Sequence, residues 1–325
     1  MLETFDGLRI RALTCAVPEM VRETNSFVSA FGESNIARFK QAVGIERCPV
    51  VPEGMQTSDL AAAAAKSLFE RTGLDRSTVD VLLFVTQTPD AVAPATSARL
   101  QARLELSEAV FALDINQGCT GFLSGLLTAA HFLQNPSVRS VLLLGGDTLT
   151  RHTDPTDAAS AMLFGDAGFA AVIDRDAAAD RWTSDCRMSA SDAISMPFGK
   201  PFAMQGSDVF TFTVTRVPEQ ILDMMRVCGE TPTSLDLLCL HQANAFIVRQ
   251  VARMTGMPAA KVPCRIANRG NTSSASLPLL LCDLASEQPK GPRNVLFSAF
   301  GVGLAWQSLH LHFDFGACLP PITLA

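Results

Sequence analysis

Cys119, His241 and Asn271 are three side chains whose types and settings suit one another chemically. Cys119 lies in Asp114-Ile115-Asn116-Gln117-Gly118-Cys119-Thr120-Gly121-Phe122. The apolar run Val110 to Leu113 reads as a buried strand, breaks at Gly118, and leads into Leu123 to Ala130, which reads as an apolar helix. The thiol is therefore expected at a strand-to-helix turn, where free backbone N–H groups and the helix dipole favour a thiolate. A thiolate at a glycine-flanked turn suits a covalent nucleophile, and the competing reading is a small buried Cys filling a core gap. His241 opens His241-Gln242-Ala243-Asn244 directly after the apolar run Leu235 to Leu240, and Asn271 follows Gly270. Singly, His241 suits a structural hydrogen bonder as well as a catalyst, Asn271 reads as a helix cap, and Gly301 and Gly303 as turn residues. Together, a Cys nucleophile with a His and an Asn is a coherent set for thioester chemistry.

The elements that must position these groups alternate along the chain. Leu8 to Ala16 reads as a first strand and Asn25 to Val43 as mostly helical, with Phe27, Phe31 and Phe39 on its apolar positions. A helix over Leu60 to Thr72 is expected next, with Ser58 or Asp59 placed to cap it. Val79 to Val85 is a continuous apolar strand of the kind covered on both faces. A helix from about Ala95 to Leu104, the Cys119 turn, and the strand Ser140 to Leu144 ending in Gly145-Gly146-Asp147 follow. Phe164-Gly165-Asp166-Ala167-Gly168 then leads into the strand Phe169 to Ile173. This alternation implies an α/β fold with a parallel-rich sheet.

The second half repeats the first. Asp80, inside the run to Val85, matches Asp236, inside the run to Leu240, at an offset of 156 residues. Gly118-Cys119 matches Gly270-Asn271 at 152, and Val141 to Leu144 matches Val295 to Ser298 at 154. Three ordered matches at nearly constant offset indicate an internal duplication. The expected halves are residues 1–175, carrying the Cys, and 176–325, carrying the His and Asn. They join within the polar, irregular stretch 174–205. Strand ends of an open α/β sheet are where ligands bind, and pseudo-twofold packing brings the three turns together there.

Composition narrows the class. Hydrophobic residues make up 48% and charged residues 18% of 325, enough apolar material for two packed α/β halves. A net charge of −6 argues against nucleic acid or an anionic membrane as partner. Nine cysteines without paired spacing point to a reducing compartment, and with five scattered His residues they leave a structural metal site unexpected. There is no basic segment followed by an apolar stretch at the start, and no apolar run approaches the ~20 residues that span a bilayer. A soluble, cytoplasmic protein is expected.

Five segments carry a family resemblance: Asn116 to Phe122, Phe164 to Gly168, His241 to Asn244, Gly270-Asn271-Thr272-Ser273-Ser274-Ala275-Ser276, and Phe300-Gly301-Val302-Gly303-Leu304-Ala305-Trp306. In this order, over nearly the whole length, the chain resembles the thiolase-fold condensing enzymes of the ketoacyl-acyl-carrier-protein synthase III group. The resemblance implies two duplicated α/β halves in a five-layered αβαβα arrangement and a homodimer. It makes Cys119 the acylated nucleophile, His241 and Asn271 the decarboxylation pair, and the N–H groups of Cys119 and Val302 the oxyanion hole. It implies 3-oxoacyl-thioester synthesis from an acyl thioester and malonyl-acyl-carrier-protein, with no metal or redox cofactor. The alternative is acyl transfer from Cys119 to an oxygen or nitrogen acceptor, such as a sugar or secondary metabolite.

Departures from the family pattern refine those expectations. Relatives that take acetyl-CoA commonly stack its adenine between a Trp and an Arg. Here no Trp precedes Gly44-Ile45, although Arg151 is present, which favours a carrier-protein donor over CoA. Ala93, before Pro94, stands where a bulky residue often limits the acyl pocket from the dimer partner, and hints at room for more than acetyl. Arg249 and Arg253 lie one helical turn apart and suit a phosphate or the acidic carrier. Asn244 and Phe300 are expected in the substrate pocket. A second catalytic Cys, as a biosynthetic thiolase needs, is missing from Phe300 to Leu304.

Overall fold

A computed structural model describes residues 1–179, 181–289 and 291–325. Two mixed sheets carry the chain. The first runs Ile322–Leu324, Leu8–Pro18, Ala167–Arg175, Ser140–Asp147, Val79–Val85, Phe111–Ile115. The second runs Leu2–Phe5, Trp182–Met188, Ala305–Asp314, Pro292–Gly301, Leu237–Leu240.

Successive residues of the inner strands bury on opposite faces, which is why these strands read as unbroken apolar runs. Val81, Leu83 and Val85 face a central layer with Phe122, Leu126 and Leu280, while Leu82 and Phe84 face outward onto Leu60 and Leu68. In the second sheet, Val295, Phe297 and Ala299 face that same central layer, and Leu296 and Phe300 face Ile221 and Val248. Helices Gly121–Leu133 and Ser276–Leu284 form the middle layer. Thr57–Thr72 and Thr96–Arg103 cover the outer face of the first sheet, and Gly206–Cys228 and Ala245–Thr255 that of the second. Counting outer helices, sheets and the shared central helices gives the expected five-layered αβαβα stack.

The sheet pairing recurs in both halves. Leu82 stands opposite Leu142 and Leu238 opposite Leu296, each in parallel register. The next strand is antiparallel in both, Ala167–Arg175 in the first sheet and Ala305–Asp314 in the second. Each sheet also takes an edge strand from the far end of the chain. Leu2–Phe5 pairs with Trp182–Met188, and Ile322–Leu324 with Leu8–Pro18.

Several local expectations change. The first long helix begins at Thr57 and is capped by Gln56, whose N–H donates to Asp59 Oδ2 at 2.7 Å, while the Ser58 hydroxyl donates to Asp90 at 2.6 Å. The Asn25–Val43 segment breaks at Gly32, φ 81°, into Val28–Phe31 and Glu33–Val43. Stretch 174–205 is not wholly irregular, because it holds the strand Trp182–Met188. Asp185 and Arg187 interrupt its apolar pattern, and the structure explains them: Arg187 Nε donates to Asp185 at 2.7 Å, and the buried Gln220 amide donates to it at 3.2 Å. Helix Gly206–Cys228 escapes the sequence pattern because its first turns are rich in Ser and Thr and Pro218 lies inside it.

Gly168 marks the close approach of strand Ala167–Arg175 to helix Thr57–Thr72. A Cβ there would stand 2.7 Å from Ala61 N and from the Leu60 carbonyl carbon, both backbone atoms with little freedom to move. Gly168→Ala is expected to destabilise the fold by about 1–3 kcal/mol, as overpacking does. Urea unfolding reads this as a lower midpoint at unchanged slope, and an unchanged midpoint contradicts the packing argument.

Candidate active site

Cys119 sits in the turn between strand Phe111–Ile115 and helix Gly121–Leu133. The turn closes through Gly121 N–H to Gly118 C=O at 2.7 Å and through the Thr120 hydroxyl to Gln117 Oε1 at 3.0 Å. Gly121 lets the helix start directly against the sheet, since a Cβ there would stand 2.6 Å from Val85 Cγ1. Gly301, arriving from the second half, faces the nucleophile: its Cβ would lie 2.6 Å from Cys119 Cβ and 2.7 Å from Sγ. Glycine at 301 is thus what lets the end of strand Pro292–Gly301 close over the thiol.

The expectation of a resting thiolate is corrected. Cys119 opens on the pocket but is enclosed by protein, and burial, with the Asp147 charge second, pushes its pKa up to about 12. The Ser273 hydroxyl and the Val302 and Cys119 N–H groups pull the other way. They are too few to offset the loss of water. The helix N-terminus gives less than expected because Cys119 lies two residues before Gly121, where the helix begins.

His241 follows strand Leu237–Leu240 and is 1% exposed. Its N–H donates to Ser298 C=O at 2.8 Å, and Ala243 N–H donates back to His241 C=O at 2.9 Å, a tight turn that aims the ring at the pocket. Nδ1 lies 2.5 Å from Ser276 Oγ, and the ring meets Phe300 edge-on with centroids 5.6 Å apart. Burial lowers its pKa to about 3, so the imidazole is neutral at pH 7. Asn271 is also buried. Its N–H donates to Leu163 C=O at 2.9 Å and its C=O accepts from Gly165 N–H at 3.1 Å, which stitches it to the first half. Its Oδ1 accepts from Ser273 N–H at 2.9 Å, so Nδ2 is the amide end left for a ligand.

Cys119, His241, Asn271 and Val302 line one cavity of about 220 Å³. Its other walls are mainly apolar, among them Leu149, Leu163, Phe164, Ile194, Phe202 and Met204. Of the remaining expected pocket residues, Asn244 and Phe300 line it, and Asn244 also caps helix Ala245–Thr255 through Ile247 N–H at 2.7 Å. Ala93, Arg151, Arg249 and Arg253 do not line it and are exposed. Arg151 donates to Pro52 C=O at 2.5 Å, Arg249 to Ala42 C=O at 3.2 Å, and Arg253 to Gln250 at 2.9 Å. Among the described residues no cluster of three or more His, Cys, Asp or Glu is placed to hold a metal ion, and no helix is long and apolar enough to cross a membrane.

Sequence reasoning missed Asp147. This fully buried carboxylate accepts from Gln87 N–H at 2.7 Å, the Thr86 hydroxyl at 3.1 Å, Ser274 N–H at 3.1 Å and the Ser274 hydroxyl at 2.7 Å. It joins a strand end of the first half to the Asn271 turn of the second. Gly145-Gly146-Asp147 after an apolar run is its only signal in the sequence.

Duplicated α/β halves in five layers, meeting over a buried Cys, are the architecture of the thiolase-fold acyltransferases. The family described as 3-oxoacyl-[acyl-carrier-protein] synthase III matches residues 113–190, and the model of its C-terminal part matches 225–313. The beta-ketoacyl-[acyl-carrier-protein] synthase III of Synechococcus sp. (strain RCC307) is 32% identical over 95% of this chain and 98% of that protein. The same-named protein of Thermosynechococcus vestitus is 32% identical over 93% and 97%. Among solved structures, the 3-oxoacyl-(acyl-carrier protein) synthase of Burkholderia xenovorans LB400 matches with a TM-score of 0.96 at 29% identity, covering 100% of this chain and 99% of that one. The synthase III of Pseudomonas aeruginosa PAO1 matches with 0.88 at 29% identity, over 95% and 98%. The chain belongs to the 3-oxoacyl-[acyl-carrier-protein] synthase III family.

Two outcomes follow from the thiol's setting. With its pKa raised to about 12, Cys119 is neutral below that pH, and its thiolate fraction grows with pH up to it. Alkylation of Cys119 by iodoacetamide, followed by peptide mass mapping, is expected to speed up about tenfold per pH unit from 7 to 9. A plateau near pH 8 contradicts the neutral resting thiol. Gly301→Ala is expected to displace Sγ and to slow acylation of Cys119 by about 10²-fold in intact-mass kinetics, as ångström misplacements do.

Proposed function

We propose that Cys119 takes an acyl group from a thioester and passes it to the carbanion formed by decarboxylation of a malonyl thioester. The observation that carries this reading is the convergence of Cys119, His241 and Asn271 on one largely apolar cavity. In the first step Sγ attacks the thioester carbonyl. The new oxyanion turns toward the N–H groups of Cys119 and Val302, a pair worth about 3–4 kcal/mol per donor in comparable sites. The tetrahedral centre collapses, the donor leaves as a thiol with the proton from Sγ, and acyl-Cys119 remains.

A malonyl thioester then places its carbonyl oxygen between His241 Nε2 and Asn271 Nδ2. Loss of CO₂ leaves an enolate, whose charge those two donors meet in a site with little water to reorganise. A neutral imidazole suits this role: it gives a hydrogen bond without surrendering a proton. The enolate carbon attacks acyl-Cys119 and gives a 3-oxoacyl thioester, and the released Cys119 thiolate picks up a proton. The chemistry needs no metal or redox cofactor. Direct transfer to an oxygen or nitrogen acceptor is disfavoured, because removing the acceptor's proton needs a base and a His with pKa about 3 is a poor one.

The donor and extender are proposed to arrive on acyl carrier protein or CoA, the carrier favoured because no Trp precedes Gly44-Ile45. Arg249 and Arg253, exposed on one face of helix Ala245–Thr255, suit its acidic surface, and Arg151 a phosphate. A homodimer is proposed through the edge strand Phe111–Ile115, whose Phe111 and Leu113 are 52% and 38% exposed. In that dimer Ala93 would reach the partner's acyl pocket. The reading is of a cytoplasmic enzyme.

Intact-mass analysis and CO₂ release separate the two steps. Cys119→Ala is expected to form no acyl adduct with acyl-CoA or acyl-carrier thioesters. His241→Ala and Asn271→Ala are expected to keep the adduct while CO₂ release from the malonyl thioester falls by about 10²–10³-fold, the usual cost of a lost oxyanion donor. An adduct of wild-type yield on Cys119→Ala, or CO₂ release unaffected by both other variants, overturns the assignment.

A further inference from the structure

We propose that Ser276 is the positioning residue that fixes the tautomer of His241, so that the proton stands on Nε2 and faces the pocket. Ser276 is the first residue of helix Ser276–Leu284 and is buried. It lies behind the imidazole, since His241 lines the Cys119 cavity and Ser276 does not. Its Oγ stands 2.5 Å from His241 Nδ1 and 3.4 Å from the Gln242 N–H. A serine hydroxyl has one proton to give and lone pairs to receive. Gln242 N–H takes one lone pair, and among the described residues the hydroxyl has no other acceptor than Nδ1, so its proton goes there. A neutral imidazole that accepts at Nδ1 must carry its own proton on Nε2. Were the tautomer reversed, Nε2 would present a lone pair to the enolate oxygen and repel it.

The surroundings keep this geometry from relaxing. Gln242 donates through Nε2 to Leu240 C=O at 2.7 Å and accepts at Oε1 from Arg265 N–H at 2.9 Å, which pins the backbone that carries the ring. Phe300 stands edge-on to the imidazole and blocks its rotation. Among the described residues His241 has no charged partner, and the serine hydroxyl is the group that tells its two nitrogens apart.

The inference rests on the proposed decarboxylation role of His241, and it is tested first without substrate. Long-range ¹H–¹⁵N spectra of uniformly labelled protein, with His241→Asn identifying the signal, are expected to show the Nε2–H form. In Ser276→Ala the Nδ1–H form is expected to gain population. CO₂ release should then fall about 10–100-fold, as for lost orienting partners of active-site histidines, while acylation of Cys119 stays within about twofold. Ser276→Thr, which returns the hydroxyl, should restore the tautomer and most of the rate. An Nδ1–H tautomer in the wild type overturns the proposal. So does a Ser276→Ala protein with unchanged tautomer, or one that loses both half-reactions equally. If Ser276→Ala does not fold, the wild-type spectrum and Ser276→Thr decide alone. The spectrum needs no catalysis, so the tautomer can fail while condensation is observed, and condensation can fail while the tautomer holds.

Discussion

The site depends on one buried carboxylate. Asp147 ends a strand of the first half and receives Ser274, from the second half, through both its N–H and its hydroxyl. Placing a charge where water is absent is costly unless donors surround it, and four donors do so here. Because Ser274 follows Asn271 by three residues, the contact that satisfies the charge also draws the Asn271 turn against the Cys119 turn. Removing either side leaves a buried group unpaired, so the two halves hold one relative position.

The same dryness shapes the chemistry. Burial leaves the thiol protonated and the imidazole unprotonated, so the resting site keeps its reacting groups neutral. On the proposed reading charge appears only during the reaction, first on the thioester oxygen and later on the enolate oxygen. The first faces the Cys119 and Val302 N–H groups and the second faces His241 and Asn271, each held by backbone or by a neighbouring hydroxyl group. A polar arrangement set before the charge arrives stabilises it without reorganisation, which is where such sites gain most of their rate. The raised thiol pKa is the cost of that dryness, partly offset by Ser273 and Val302.

Much of this was legible in the sequence, and the reasons are physical. Inner strands covered on both faces must be apolar at every position, so Val79 to Val85 announces itself. Duplication repeats the pattern, and the paired turns then expose Cys119 and Asn271. Trp182–Met188 stayed hidden because a strand with partnered Asp and Arg looks polar. Asp147 and Ser276 stayed hidden because a single polar residue near a turn carries no information until its partner, 127 or 35 residues away, is known. The state of the thiol was misjudged for a related reason, since helix dipoles can be read from local pattern whereas burial is a property of the whole fold.

The exchanged edge strands have a kinetic consequence. Leu2 finds its partner at Asp185, and Ile322 finds Ala16. Neither half completes its sheet from its own residues, so the last closures in folding span most of the contour of the chain. Such distant pairings raise contact order and delay the final step. Each terminus also acts as a latch on the opposite half, so peeling away a few residues at one end exposes a raw sheet edge more than 150 residues away. The two halves are therefore a single cooperative unit, although their ancestry is that of two.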